Sequence, residues 1–538
     1  MFHTSRLILL LLFAVCTLGV DPVDSSDDYD LLIRNARVLD GTGNPWYYAD
    51  IAIRADRIVA MGSMPDATAL RTIDAAGLYL SPGFVDVHSH AATGLVDREL
   101  SSAIPLLAQG ITTVVVNPDG GGPIDLYQQR EQLLEFGLGV NVAQFVPFGS
   151  IRQFVLGMDD RAPDPSELEQ MKERVRNGME AGAIGLSSGL FYAPASYART
   201  EEVVELAKAA AKYNGVYQSH IRDESDYTVG LQQAVEEVIH ISREAGLPGV
   251  VTHIKALGPN VWGEAETIVR DIEEARNDGV EVYADQYPYN ASSTSLSAAL
   301  LPRWASEGGR ERFLGRLENP DLLDRILREM EVNLARRGGP GRISVRRVES
   351  HPQFNDRTLL EIANEMNLPA VEAALRLLRE GSPGIVSFNM TEEDVLKFMQ
   401  QEWTMTSSDG GLVAMGDGTP HPRNYGSFAR KIALYVQEKD QLTLSAAIRS
   451  MTSLSASVHN IPDRGLIRPG MIADLVLFDL QEVADHATYT APHQLSTGFH
   501  YVLVNGEFAV DQGIFTETLS GRVLHRNDSS NFIEMGHQ

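Results

Sequence analysis

The sequence predicts an α/β fold, a (β/α)₈ barrel carrying a small β domain assembled from both ends of the chain. Two patterns lead there. Across the middle of the chain, short apolar strand-like runs alternate with amphipathic helical runs. The β-tending text that opens the chain also returns near its end. The length of 538 residues suits a barrel with additions.

The elements follow in order. Arg6 precedes an apolar run over residues 7–15, too short for a bilayer span of about 20 residues. It reads as a signal peptide, residues 1–19, with cleavage after Gly19. The expected location is therefore secreted or periplasmic. A lipoprotein anchored through Cys16 is the weaker reading, because Val15 suits a lipobox poorly. An acidic linker follows, then a β domain predicted over 28–80 and 464–525. Its first strands are read at 31–33, 36–39, 50–53 and 57–60, with turns at Asp40-Gly41 and Asn44-Pro45. Its last are read at 474–478 and 501–506.

The barrel is placed at 81–463. Strands are expected at 110–116, 216–219, 249–252 and 280–284, and helices at 201–213 and 231–245, where apolar residues recur on one face. The stretch 302–384, richer in Arg, Glu and Leu, reads as an insertion.

Composition excludes several classes. Lys and Arg number 45 against 72 Asp and Glu, a net charge of −27, which repels nucleic acid. Cys16 is the single cysteine, so no disulfide framework or multi-cysteine metal site exists. No later run is long and apolar enough to span a membrane. The chain has no G-x-S-x-G for a serine nucleophile, and Gly120-Gly121-Gly122 lacks the lysine of a phosphate loop.

Polar residues follow several strand-like runs. His88 and His90 lie two apart, so in a strand both point to one side and can grip one ion. His220 and His253 each follow a β run, and Asp409 follows another. Read singly, each is equally a loop or core residue. Together they sit where a barrel gathers its chemistry, at the carboxyl ends of strands. Neutral imidazoles and carboxylates suit zinc and similar divalent ions.

Taken in order, the motifs resemble the amidohydrolase superfamily and, within it, the D-aminoacylase group. They include Ser81-Pro82-Gly83-Phe84-Val85-Asp86-Val87-His88-Ser89-His90, Gly110-Ile111-Thr112-Thr113-Val114 and Gly185-Leu186-Ser187-Ser188-Gly189-Leu190-Phe191-Tyr192. Ser219-His220-Ile221-Arg222, Asp285-Gln286-Tyr287-Pro288-Tyr289, Ser408-Asp409-Gly410 and His421-Pro422-Arg423-Asn424 continue the series. The resemblance spans nearly the whole mature chain. It implies a metallohydrolase barrel with one or two Zn²⁺ ions and a β-sandwich. It further implies hydrolysis of the amide of N-acyl-D-amino acids or related D-configured peptides by a metal-bound hydroxide.

By position, the resemblance assigns His220 and His253 to the principal zinc and His88 and His90 to a second metal position. Asp409 becomes the general base and acid. The group usually presents a cysteine ligand after its Gly-Ile-Thr-Thr strand, where this chain has Asp119. Asp119 is therefore expected to ligate; a carboxylate is harder than a thiolate and can bridge two ions.

The same resemblance assigns Tyr192, Lys255, Tyr287, Ser293 and Arg423 to the substrate, the two cations suiting its carboxylate. Arg222 is a weaker candidate, and His421 and His459 read as structural. The sequon at Asn290 is expected to be unused. The expected partner is a small N-acyl amino acid or short D-peptide. Two alternatives stand: a cyclic-amide amidohydrolase, disfavoured because no strand-end lysine lies between His90 and His220, and a catalytically inactive binding module on the same fold.

Overall fold

The computed structural model describes residues 28–526. The segment read as a signal peptide lies outside them. Eight parallel strands form the barrel: Phe84–Asp86, Ile111–Val116, Asn141–Pro147, Gly185–Gly189, Val216–His220, Gly249–Val251, Val282–Gln286 and Thr404–Thr406. They hydrogen-bond in sequence order. The chain closes the ring just beyond the first and last strands. His90 N–H donates to the Gly410 carbonyl at 2.9 Å, and Asp409 N–H donates to the His88 carbonyl at 2.9 Å.

The strands are buried on both faces, as a sheet enclosed by helices requires, and the second and third are continuous apolar-rich runs. In Ile111–Val116, Val115 packs inward with Val85, Phe145 and Val250, whereas Val114 and Val116 pack outward. Gly185 permits one close strand approach, because a Cβ there would lie 2.0 Å from the Val216 carbonyl oxygen. The surrounding helices bury one stripe each. Pro165–Glu180 starts with a capping box between Asp164 and Glu167 and buries Met171, Val175 and Met179. Leu231–Ala245 buries Val235, Val238 and Ile241 and stops at Gly246, whose φ of 68° is left-handed.

Both chain ends join in one nine-stranded sheet. Its central pairing sets Tyr79–Pro82 against Leu475–Phe478, so opening and closing segments meet directly. Alternation then sorts the side chains by face. Leu475 and Leu477 join Leu31, Ile33 and Ile51, while Val476 and Phe478 pack toward barrel residues Phe84 and Phe428. The two runs read at 31–33 and 36–39 are one strand, Tyr29–Val38, with an irregularity between Ile33 and Ala36 that Asn35 absorbs at a φ of 58°.

Between the seventh and eighth barrel strands the chain builds a separate unit. It has a three-stranded antiparallel sheet, Ser292–Ser295, Gly384–Ser387 and Ile343–Arg346, and an apolar core including Phe313, Ile326, Met330 and Leu377. It is wider than the insertion read at 302–384. Its first strand is Ser-Ser-Thr-Ser, which carries no apolar signal.

Candidate metal centre and substrate cleft

Five of the barrel's carboxyl-end turns converge. His88 and His90 follow the first strand, Asp119 the second, His253 the sixth and Asp409 the eighth; His220 ends the fifth. Asp119 and Asp409 take left-handed φ values of 55° and 48° in these turns.

Asp119 stands at the centre. Its Oδ1 lies 3.4 Å from His88 Nε2, 3.8 Å from His220 Nδ1 and 3.6 Å from His253 Nε2. Its Oδ2 lies 3.4 Å from His90 Nε2. Asp409 Oδ1 faces the first pair, at 3.7 Å from His88 Nε2 and 3.3 Å from His90 Nε2. Two donor sets result, sharing Asp119: His88, His90, Asp119 and Asp409, and Asp119, His220 and His253.

These side chains fit a divalent cation. Both ring nitrogens of His88 and His220, and Asp119 Oδ1, are buried without a hydrogen-bond partner. Buried polar atoms of this kind are rarely left unsatisfied. Nitrogen and carboxylate oxygen donors in threes and fours are the ligand chemistry of zinc. The electrostatics agree. Burial opposes charge on His90, but Asp119 and Asp409 outweigh it and hold the imidazole up at about 9. Burial and Lys255 oppose charge on His253, yet Glu224 and Asp119 raise it to about 10. Burial pushes His220 down to about 3. An ion entering this site displaces protons from His90 and His253.

Buried carboxylates set the geometry from below. Asp86 accepts the N–H of Ser408 at 2.8 Å and the N–H of His88 at 3.3 Å, tying the first turn to the last. Asp285 accepts the N–H of His253 at 2.9 Å and the hydroxyl of Ser407 at 2.6 Å. Glu224 Oε1 lies 3.0 Å from His253 Nδ1 and accepts from Lys255 Nζ at 2.5 Å. A carboxylate on the far nitrogen of a ligating histidine fixes its tautomer. Sequence reading missed Glu224, although it stands four residues after His220. It overlooked the anchoring of Asp86 and Asp285 too, although both lie inside quoted motifs.

The centre floors a cleft of about 780 Å³ lined by Tyr192, Lys255, Tyr287, Ser293 and Arg423. All five expected substrate residues therefore face one space, but two cations are already engaged. Lys255 Nζ lies 2.6 Å from His253 Nδ1 as well as on Glu224. Arg423 Nη1 donates to Asp409 Oδ2 at 2.7 Å, while its Nε is unpartnered. The Tyr192 ring lies 4.7 Å from that of His220, and the Tyr287 hydroxyl is buried with no partner. Ser293 sits on the insertion's first strand.

The remaining candidates are structural. Arg222 pairs with Glu237 at 2.8 Å and donates to the carbonyls of Ser196 and Ala198. His421 donates to the Ala291 carbonyl at 3.0 Å and His459 to the Ser455 carbonyl at 3.0 Å. Asn290 is exposed, and its Oδ1 accepts from the Tyr489 hydroxyl at 3.4 Å.

Imidazoles and carboxylates converging at the mouth of a parallel barrel are the arrangement of a metal-assisted hydrolase. The chain belongs to the amidohydrolase family, whose model matches residues 151–510. It is 35% identical to an N-acyl-D-glutamate deacylase of Alcaligenes xylosoxydans xylosoxydans, over 93% of this chain and 97% of that one. It is 32% identical to a D-aminoacylase of the same organism, over 93% and 98%. Among solved structures, an N-acyl-D-glutamate deacylase from Bordetella bronchiseptica, complexed with zinc and a phosphonate mimic of the tetrahedral intermediate, superposes with a TM-score of 0.78. It shares 33% identity, covering 92% of this chain and 99% of that one.

Proposed function

We propose that this chain is a zinc-dependent hydrolase that removes the acyl group from N-acyl-D-amino acids or related D-configured peptides. The observation that carries the reading is Asp409. One of its oxygens faces His88 and His90 while the other is held by Arg423, at the floor of a cleft lined with Lys255 and the hydroxyls of Tyr192, Tyr287 and Ser293.

His88, His90, Asp119, His220 and His253 would hold the metal, one ion or two. Zinc bound there polarises the amide carbonyl and acidifies water. Asp409 takes the proton of the attacking water on Oδ1 and returns it to the leaving nitrogen, so the amine departs neutral. Arg423 keeps Asp409 ionised. Burial opposes its charge, but Arg423 and His90 hold the carboxyl well below the usual carboxylate range. Tyr192, Tyr287 and Ser293 supply hydroxyls toward the substrate carboxylate, and Lys255 and Arg423 supply positive charge. Their arrangement fixes which face of the α-carbon meets Asp409. The D preference is supported by the two deacylating relatives. An extracytoplasmic location is part of the same proposal, supported by Arg6 and the apolar run after it.

The test is to produce the chain from Val20, measure its metal content, and offer N-acetyl-D- and N-acetyl-L-amino acid pools beside Asp409→Asn. Cleavage of the D pool, with a variant that binds metal and is inactive, supports the proposal. Metal binding with neither pool cleaved rejects N-acetyl-amino acids as substrates. A chain that takes up no metal rejects the mechanism.

A further inference from the structure

The inserted unit brings one guanidinium group to the cleft and a second behind its wall, and the mechanism uses neither. Arg337 caps the helix Pro320–Arg336 and lines the same cleft as His253, Lys255 and Ser293, although only 1% of it is exposed. Its Nε donates to the Tyr227 hydroxyl at 2.8 Å. Its Nη1 reaches the Asn389 amide oxygen at 3.3 Å once that amide is turned to face it. Arg303 lies in the turn Arg303–Ser306. Its guanidinium stacks 3.7 Å from the ring centre of Phe191, a cleft residue, and its Nη2 is buried without a partner.

Neither arginine forms an ion pair among the described residues, whereas the adjacent Arg336 has Asp226 at 3.0 Å. Asp223 acts on Arg303 electrostatically, but its oxygens are occupied by the N–H groups of Ser225, Thr228 and Gly230. Arginine stays protonated, so two positive charges lie buried here with no carboxylate in contact with either guanidinium, and Asp223 offsets them only from a distance. An anion brought by the ligand supplies the missing partner, and the guanidinium fork matches a carboxylate. The cations nearer the metal are different in kind, because Lys255 already faces Glu224 and Arg423 already faces Asp409.

We propose that Arg337, backed by Arg303, forms a second anion subsite, so that the preferred substrate carries a carboxylate besides the one on its α-carbon. This rests on the N-acyl-D-amino-acid reading of the same cleft. The extra carboxylate belongs either to an acidic side chain or to the far end of a dicarboxylic acyl group.

Three substrates separate these cases on the zinc-loaded chain: N-acetyl-D-glutamate, N-succinyl-D-leucine and the neutral reference N-acetyl-D-leucine. The wild type is expected to prefer one diacid over the reference in kcat/KM by about tenfold or more. Arg337→Met should lower that ratio by about tenfold or more, and Arg337→Lys, which keeps the charge without the fork, by less. Arg303→Met provides the same readout should Arg337→Met fail to fold. A wild type that favours the neutral substrate, or a ratio unmoved by the substitutions, overturns the subsite. Calorimetric binding of the three compounds to zinc-loaded Asp409→Asn keeps the two readings apart. If no N-acyl-D-amino acid is hydrolysed yet a diacid binds more tightly than the reference through Arg337, the deacylase reading fails and the subsite stands. If binding is indifferent to Arg337, the subsite fails.

Discussion

Arg423 Nη1 donates to Asp409 Oδ2 over 2.7 Å, and both side chains are buried. This pair makes Asp409 a weak base by proximity to a cation, which preserves its ionised form to low pH. Arg423→Met removes the cation and should raise the Asp409 pKa. The acid limb of the kcat/KM profile then moves to higher pH, because the unprotonated carboxylate appears later on the pH axis. A loss of activity with an unmoved acid limb would assign Arg423 to substrate binding alone.

Glu224→Gln tests the carboxylate behind His253. Glutamine still accepts from an imidazole N–H but no longer neutralises Lys255 at 2.5 Å. Metal affinity should fall about 10- to 100-fold, read by competition with a chromogenic chelator. Unchanged affinity would show that His253 is oriented without it.

Gly189→Ala addresses the turn that carries Asp119. A Cβ at position 189 would lie 2.3 Å from the Asp119 carbonyl oxygen, so the turn must shift. A shift of about 1 Å, enough to restore an ordinary contact, is expected to cost about 10²-fold in kcat/KM and to weaken metal retention under dialysis, with circular dichroism unchanged. Full retention of the metal would remove Asp119 from the ligand set.

His459 predicts a pH dependence of stability. It is buried beside Phe145, its Nε2 unpartnered, and burial pushes its pKa down to about 4. The unfolded chain binds a proton on this ring near the ordinary value of about 6.5. Between these values the unfolded state holds more protons than the folded one. Stability therefore rises with pH across the window and is lost as pH falls from 6.5 toward 4. In the metal-free protein, His459→Gln should make that slope shallower by up to about 1.4 kcal/mol per pH unit, measured by denaturant unfolding at several pH values.

The parts of this molecule written in local pattern were legible before the fold was known. Ile111–Val116 is a β-branched run, and Leu231–Ala245 keeps a helical apolar period, so the barrel could be read element by element. His88, His90, His220, His253 and Asp409 were visible because each follows such a run. Asp119 emerged only by comparison with a motif, since an Asp before three glycines looks like any turn. Arg303 and Arg337 had no signal at all, and Glu224 had only its spacing of four from His220. Their meaning lies in what stands opposite them, and Arg337 is 82–84 residues from the Lys255 and His253 whose cleft it shares. The insertion's polar first strand was missed for the complementary reason, because it is paired by backbone hydrogen bonds to Gly384–Ser387 rather than by apolar burial.

The ring closure has a consequence for how the protein comes apart. The first and last barrel strands are more than 300 residues distant along the chain, yet their junction is made by the backbones of His88, His90, Asp409 and Gly410. The seam of the cylinder and the ion-binding cluster are one locus. A bound cation acts there as a clasp between chain segments whose encounter is entropically the most demanding in the molecule. Release of the ion and parting of the seam should then coincide, so that chelators lower resistance to heat and protease as well as activity.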